Sequence, residues 1–332
     1  MIDIRRYTAD KADEWNQFVA GSKNGTFLFD RGYMDYHADR FADHSLMVYH
    51  KNQLLALLPA NRSDDVLYAH RGLTYGGLVM NRHCTTALVR DVFGLLNAYL
   101  HEQGLSRVIY KPVPWIYATL PSEEDLYALC NVCHARLVSR DVASVLMLDR
   151  RLPYSTLRRR CVKKAVKSQV VIRETDEWPI FWALLEQRLL QRHGACPVHT
   201  LSEIQLLHSR FPAAIRLFAA YHDGHMVGGT VLYVSHQTVK TQYIAATDEG
   251  LAVGALDGLF DYLITQFTKQ GFAFFDFGTS NMPNSSPTAD GHLCNHRRWC
   301  TASWRRPWYK PHLIFRVVPQ NLYKRSVKLP QE

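Results

Sequence analysis

The chain has 332 residues with 39 basic and 30 acidic side chains, a formal charge of +9. That length can bury the cores of two domains. A composition 47% hydrophobic and 21% charged excludes an intrinsically disordered polymer. No apolar run reaches the length of a membrane span, and the charged start MIDIRRYTADKADEW is unlike a secretory signal. Seven scattered cysteines, an odd number, read as reduced thiols of a cytoplasmic protein. Cys130 and Cys133 form a lone C-x-x-C, which reads as buried small hydrophobes, so no metal is expected. The charge is uneven. From Gly291 onward there are nine basic residues against Glu332 alone, whereas the first 290 residues carry a net charge of only +1.

In chain order, residues 1–45 combine helical spacing at Ala12, Trp15, Phe18 and Val19 with the aromatic stretch TFLFDRGYMDYHADRF. Leu46–His50 and Leu54–Ala60 read as strands joined by a tight turn at Lys51–Asn52. A strand over Val66–Ala69, the glycine-bearing GLTYGGLVM, a helix through Leu88, Val92, Leu95, Leu96 and Tyr99, and a strand Val108–Val113 follow. Ser122 reads as the cap of a helix running to Leu137, and Val142–Leu148 as a strand. STLRRRCVKKAVKS is then a basic helix capped by Ser155 and bearing Arg158, Arg159, Arg160, Lys163, Lys164 and Lys167. It is either a solvated face or a positive strip, at the mouth of an inter-domain cleft, suited to a diphosphate. An amphipathic helix spans Trp178–Arg192, and Ser202 reads as the cap of another.

The second half repeats the first at an offset of about 170 residues: Ile215–His222 and Met226–Val234 pair through Asp223–Gly224, and the two turns read YHKNQ and YHDGH. The most informative stretch is Met226–Ser280. Its order is strand, strand, glycine loop (Asp248 to Gly254), helix (Leu256, Leu259, Phe260, Leu263, Ile264, Phe267) and buried strand (Phe272–Phe277). A loop that leaves a strand and opens a helix offers unpaired N–H groups and a positive dipole end, which suits a phosphate. Two copies of one α/β unit result, each a central mixed sheet flanked by helices. They are divided as 1–150 and 151–290, with a basic segment 291–332.

This outline resembles the GNAT acyltransferase superfamily, and two such units in one chain resemble the Fem-type (FemABX-like) peptidyltransferases. Within that set FLFDRGYMDYHADRF, GLTYGGL, YKPVPWIYATLPSEEDLYAL, PVHT, TQYIA and FDFGTS are similar to bacterial acyltransferases that include nucleotide-linked amino-sugar N-acyltransferases of surface-polysaccharide (O-antigen) synthesis. The resemblance covers roughly residues 1–282. It implies acyl-CoA as co-substrate, contacted by Gln242, Gly250, Val253, Gly254 and Ala255, in the domain 151–290. The domain 1–150 is then the acceptor side. Two departures stand out. The family's diphosphate loop carries a basic residue or Gln before closely spaced glycines, whereas here Asp248 and Glu249 precede Gly250. Related chains close with a glycine-rich "LNxGLxxxKxxFG"-like segment. Here the sequence after Asn281 reads either as a replaced or frame-altered C-terminus or as a genuine basic tail.

Acyl transfer by direct attack requires positioning, donors for the oxyanion and a route for the amine proton. The resemblance sets the acyl carbonyl against Thr241–Ala245. Tyr243 there is either a proton donor to the leaving thiolate or a core aromatic. Asp276 is a base or anchor for the amine, or a loop cap. His199, one of sixteen histidines, is a candidate proton acceptor, with Glu203 one turn on to orient it. Asp39 and Arg40 fall where Fem-type proteins hold the acceptor's phosphate, with a surface ion pair as the plainer reading. Lys111 and Tyr117 are placed toward the same cleft, and Arg160 and Lys164 on the basic helix complete the substrate contacts. G-x-S-x-G, G-x-x-x-x-G-K-[ST] and H-E-x-x-H are all absent. Three functions follow: acylation of a nucleotide-linked amino sugar from acyl-CoA, Fem-type aminoacyl transfer from charged tRNA to a peptidoglycan precursor with the basic helix Arg158–Lys167 helping to hold tRNA or precursor phosphates, or non-catalytic anion binding through the basic tail. The missing long helical arm favours the first, and the near-neutral body weighs against the third.

Overall fold

A computed structural model describes residues 1–279 and 308–319. The chain divides into two compact units, residues 1–140 with 312–332 and residues 141–311. The basic segment expected over 291–332 lies outside the described residues except for 308–319.

The first unit comprises β1 (Ile2–Arg6), α1 (Ala12–Gly21), α2 (Arg31–Met34), β2 (Leu46–His50), β3 (Gln53–Leu58), β4 (Asn61–Ser63), β5 (Val66–Tyr68), β6 (Val79–Met80), α3 (Thr86–Glu102), β7 (Arg107–Tyr110) and α4 (Glu124–Asn131). Strands β1-β2-β3-β6 form an antiparallel sheet. The β2–β3 turn forms where expected, because Lys51 (φ 50°) and Asn52 (φ 62°) both adopt the left-handed conformation a tight hairpin requires. In the second sheet β4 and β5 are antiparallel, while β5 and β7 are parallel, joined by a crossover that includes α3. Helix α3 is capped by Thr85, whose hydroxyl accepts from Leu88 N, and buries Val89, Val92, Phe93, Leu96 and Leu100 along one stripe. Helix α4 is shorter than its periodicity predicts. It starts at Glu124 with no side-chain cap, so Ser122 does not act as one, and stops at Asn131. Asp125 is drawn into the core by Tyr110, whose hydroxyl donates to its carboxylate at 2.7 Å, and the chain then turns at His134 (φ 48°).

The second unit contains most of β8 (Arg136–Met147), then α5 (Thr156–Lys167), β9 (Val171–Glu174), α6 (Trp178–His193), α7 (Leu201–Arg210), β10 (Ile215–His222), β11 (His225–Ser235), β12 (Thr238–Ala246), α8 (Asp248–Val253), α9 (Ala255–Lys269) and β13 (Phe274–Thr279). Its strands follow the order β8-β13-β12-β11-β10-β9, with β12 and β13 parallel and the others antiparallel. Beneath α9 lies a core of Leu256, Leu259, Phe260, Leu263, Ile264 and Phe267 against Val239, Phe275 and Phe277. Each such side chain contributes about 1.5–3 kcal/mol by leaving water. Ser155 caps α5 as expected, whereas α7 is capped by Thr200 in a reciprocal box with Glu203, leaving Ser202 inside the first turn. The expected glycine loop is the short helix α8, capped by Thr247 and ended by Gly254 at φ +77°. Finally β14 (Trp308–Val317) pairs antiparallel with β7. Among the described residues no helix is long and apolar enough to cross a membrane.

Candidate functional site

The geometry that matters most is the parting of β12 from β13. Their parallel pairing runs Thr238↔Phe274, Val239↔Phe275, Lys240↔Asp276 and ends there. On its other edge β12 stays paired to β11, but the register jumps from Leu232↔Thr241 to Val231↔Tyr243. Gln242 is therefore the extra residue of a β-bulge, a device that bends a strand and re-aims side chains. Thr241–Ala245, where the acyl carbonyl was expected, lies beyond the last β13 pairing and carries the bulge.

Polar side chains gather at this fork. Lys240 is 9% exposed and pairs in register with Tyr233 on β11 and Asp276 on β13. Its ammonium donates to Gln242 Oε1 at 2.5 Å and lies 5.9 Å from the Tyr233 ring. Asp276 is fully buried, and its Oδ1 accepts from Gly278 N at 2.9 Å. One turn of strand further, the Tyr243 hydroxyl lies 2.6 Å from His199 Nδ1 and accepts from the His199 backbone N–H at 3.3 Å. Burial pushes the Tyr243 phenol up to about 12, opposed by the His199 and Gln242 hydrogen bonds. It therefore stays protonated at neutral pH. Trp182 on α6 packs edge-on against Tyr243 at 5.2 Å. His199 is 4% exposed and sits just before the capping box, where Glu203 accepts from Thr200 N at 2.8 Å.

The α8–α9 region is closely packed. Glu249 bonds His222 Nδ1, and Asp248 is held by Arg188, which also donates to Ala246 O at 2.6 Å. Gly254, Ala255 and Gly258 are buried; Val253 is half-buried. A Cβ on Gly254 would lie 2.8 Å from Cys161 O on α5, and one on Gly258 2.9 Å from the Ala165 Cβ. A Cβ on Gly250 would meet Val227 O at 2.1 Å. Helix α5 thus lies over the start of α9, pinned by a buried ion pair between Arg158 and Asp257. Glycine serves here for close approach between backbones. Arg160 and Lys164 point outward from α5 and are exposed.

In the first unit, Asp39 and Arg40 are adjacent and exposed, 4.0 Å apart, with the Arg40 guanidinium 5.5 Å from the Tyr36 ring. Lys111 donates to Leu73 O at 3.2 Å, and Tyr117, 2% exposed, stacks on Tyr75 at 4.6 Å. Periodicity and motif reading passed over Lys240, Trp182 and Arg188. Of these only Lys240, a lone charge within the strand TVKTQYIA, leaves a trace in the sequence. Among the described residues no group of three or more His, Cys, Asp or Glu is placed to hold a metal.

A mixed sheet that parts at a bulged strand, with a helix joining the two parted strands, defines the second unit as a GNAT domain. Residues 154–284 match the family model described as "Acetyltransferase (GNAT) domain", and the chain is an acyltransferase. The chain is similar in structure to FemX, with a TM-score of 0.66 at 11% identity, covering 97% of this chain and 99% of that one. It is similar to L-PGS from Bacillus licheniformis at 0.61 and 12%, covering 97% and 94%. A tandem GNAT protein from the clavulanic acid biosynthesis pathway follows at 0.51 and 11%, covering 96% and 99%. At such identities the likeness is one of fold: two GNAT-like units in tandem. No curated protein matches the chain in sequence.

Proposed function

We propose that this protein transfers an aminoacyl group from an ester donor, a charged tRNA, to the amine of a peptidoglycan precursor by direct attack at the β12–β13 fork. The observation that carries the choice of donor is the covered start of α9. In a CoA-dependent reading the diphosphate would sit at Gly250–Ala255. There α5 packs within 2.8 Å of a Gly254 Cβ, and the residues before Gly250 are acids already paired to Arg188 and His222. That arrangement repels a diphosphate instead of seating it. A donor whose phosphates lie elsewhere needs no such seat.

In this reading the acyl carbonyl rests against the bulged stretch Thr241–Ala245, where strand N–H groups receive the developing oxyanion. The amine forms the C–N bond as the C–O bond of the ester breaks. Tyr243 gives its proton to the leaving oxygen, and His199, whose backbone N–H and ring nitrogen face that hydroxyl, takes up the proton the amine releases and returns it to Tyr243 afterwards. Asp276, with Lys240 as its register neighbour, orients the incoming amine. Asp39, Arg40, Lys111 and Tyr117 are the residues of the first unit assigned to the acceptor.

A second reading, acylation of a nucleotide-linked amino sugar from acyl-CoA in the cytoplasm, is favoured by the match of 154–284 to an acetyltransferase domain. Gln242, Gly250, Val253, Gly254 and Ala255 would then contact CoA. One experiment separates them. The purified chain is given acetyl-CoA with nucleotide-linked amino sugars and, separately, radiolabelled aminoacyl-tRNA with a uridine-linked peptidoglycan precursor. Amide formation only in the second mixture supports the proposal. Turnover of acetyl-CoA, or thermal stabilisation by free CoA, overturns it in favour of the second reading.

A further inference from the structure

Helix α5 has two unlike faces. Its inner face is set by Arg158, paired to Asp257, and by Ala165 against Gly258. Its outer face carries Arg159, Arg160, Lys163, Lys164 and Lys167, all exposed, and the helix contains no acidic residue. At 100° per residue, Arg160, Lys163 and Lys167 form the centre of the outward stripe, with Arg159 and Lys164 on its flanks. Elsewhere in this unit several cations are paired, Arg173 with Glu177, Arg188 with Asp248 and Arg216 with Glu174. None of the five on α5 has a carboxylate partner among the described residues.

We infer that the outer face of α5 is a docking surface for the phosphate backbone of RNA. The proposal deepens the aminoacyl-transfer reading, on which its choice of RNA rests, by assigning the surface that holds the donor. Three features argue for it. The stripe from Arg159 to Lys167 extends about 12 Å along the helix axis, longer than one diphosphate but suited to successive phosphates of a chain. Spacings of three, four and seven residues put a cation on the stripe at every turn. The apolar side chains exposed on this helix, Leu157 and Val166, lie on opposite borders of the stripe, not at its centre. A helix that enters a lipid surface has the reverse arrangement, an apolar centre flanked by cations, and the small-residue face of α5 is already occupied by α9.

The test measures binding of the full chain to fluorescently labelled, uncharged tRNA by anisotropy over a range of salt, beside vesicles of anionic phospholipid. Arg160→Gln, Lys163→Gln and Lys167→Gln are combined in one variant, because these exposed side chains have no ion-pair partner to lose among the described residues. We expect at least a tenfold loss of tRNA affinity. The slope of log affinity against log salt should shrink by about 2 to 3, since each phosphate contact contributes about 0.7 to 0.9. An unchanged melting temperature accompanies that loss if the surface, and not the fold, is responsible. Equal tRNA binding by wild type and variant overturns the inference, as does binding to anionic vesicles without binding to tRNA. Failure here is distinguishable from failure of the functional reading. Aminoacyl transfer with an unaltered KM for charged tRNA in the variant sinks the α5 surface alone. Salt-dependent tRNA binding lost in the variant, without any transfer, sinks the reaction and leaves the surface standing.

Discussion

Each unit buries a tyrosine near a parallel strand pair, and the two are used differently. In the first unit Tyr110 ends β7 at 2% exposure, and its hydroxyl donates to Asp125 while accepting from Leu78 N at 2.6 Å. Burial and the Asp125 carboxylate push its ionisation well above the ordinary range, and burial lifts Asp125 to about 6. Every bond of that phenol is turned inward. In the second unit Tyr243 stands on a bulged strand that has parted from its parallel neighbour. Its bonding partner His199 comes from the segment just before the Thr200 cap of α7. In the proposed reaction this difference is what sets Tyr243 apart: the sheet beside its phenol opens, whereas Tyr110 is enclosed.

Four experiments break or sharpen this comparison. The largest effect is expected for Tyr243→Phe, which should lower kcat by roughly a hundredfold or more while moving the melting temperature by only a few degrees. An equal loss of Tm would make Tyr243 a core residue like Tyr110. Next, Gly250→Ala forces a Cβ to within 2.1 Å of the Val227 carbonyl. The helix must shift, at a cost of about 3 kcal/mol in denaturant titration. Retention of full stability would show that α8 stands off β11. Tyr110→Phe should cost about 1–3 kcal/mol, because it removes the hydrogen bonds that Tyr110 makes to Asp125 Oδ2 and Leu78 N. Its kcat per folded molecule should not change.

The smallest effect is a pH dependence in the first unit. His70 is 4% exposed and burial lowers its ionisation from 6.5 to about 3; His44 is lowered to about 4 by burial and the Arg6 charge. Below pH 6.5 the unfolded chain takes up protons that the folded chain refuses, so stability falls as pH drops from 6.5 toward 3, and neither group contributes above 6.5. Chemical denaturation at pH 7 and pH 5 should show His70→Asn with a shallower slope, by up to about 1.4 kcal/mol per pH unit. Parallel slopes in wild type and variant would refute the assignment.

Local chemistry made much of the fold legible. The paired turns at Lys51–Asn52 and Asp223–Gly224 formed because left-handed φ values are required by hairpins and tolerated by Asn, Asp and Gly. The stripe on α9 and the Ser155 cap were equally local. Where local signals competed, the reading failed: Ser122 and Ser202 lost to positions set by the Asp125–Tyr110 bond and by the Thr200–Glu203 box. The candidate site was half visible. His199, Tyr243, Gln242 and Asp276 stood out as unusual residues in apolar or motif-bearing stretches, yet nothing in their spacing says that His199 and Tyr243, 44 residues apart, share a hydrogen bond.

Amino-acid order alone determined most of the strands and helices, because backbone propensity, side-chain period and turn chemistry act over a few residues. It also determined that α5 is basic throughout its exposed length. Only the tertiary structure decided that Arg158 turns inward to Asp257 while five neighbouring cations face solvent. It alone decided that Gly254 and Gly258 lie against α5, and that β12 parts from β13 after Lys240. These outcomes depend on which surfaces meet across long stretches of chain, and close packing between elements settles them, not the preference of any one segment.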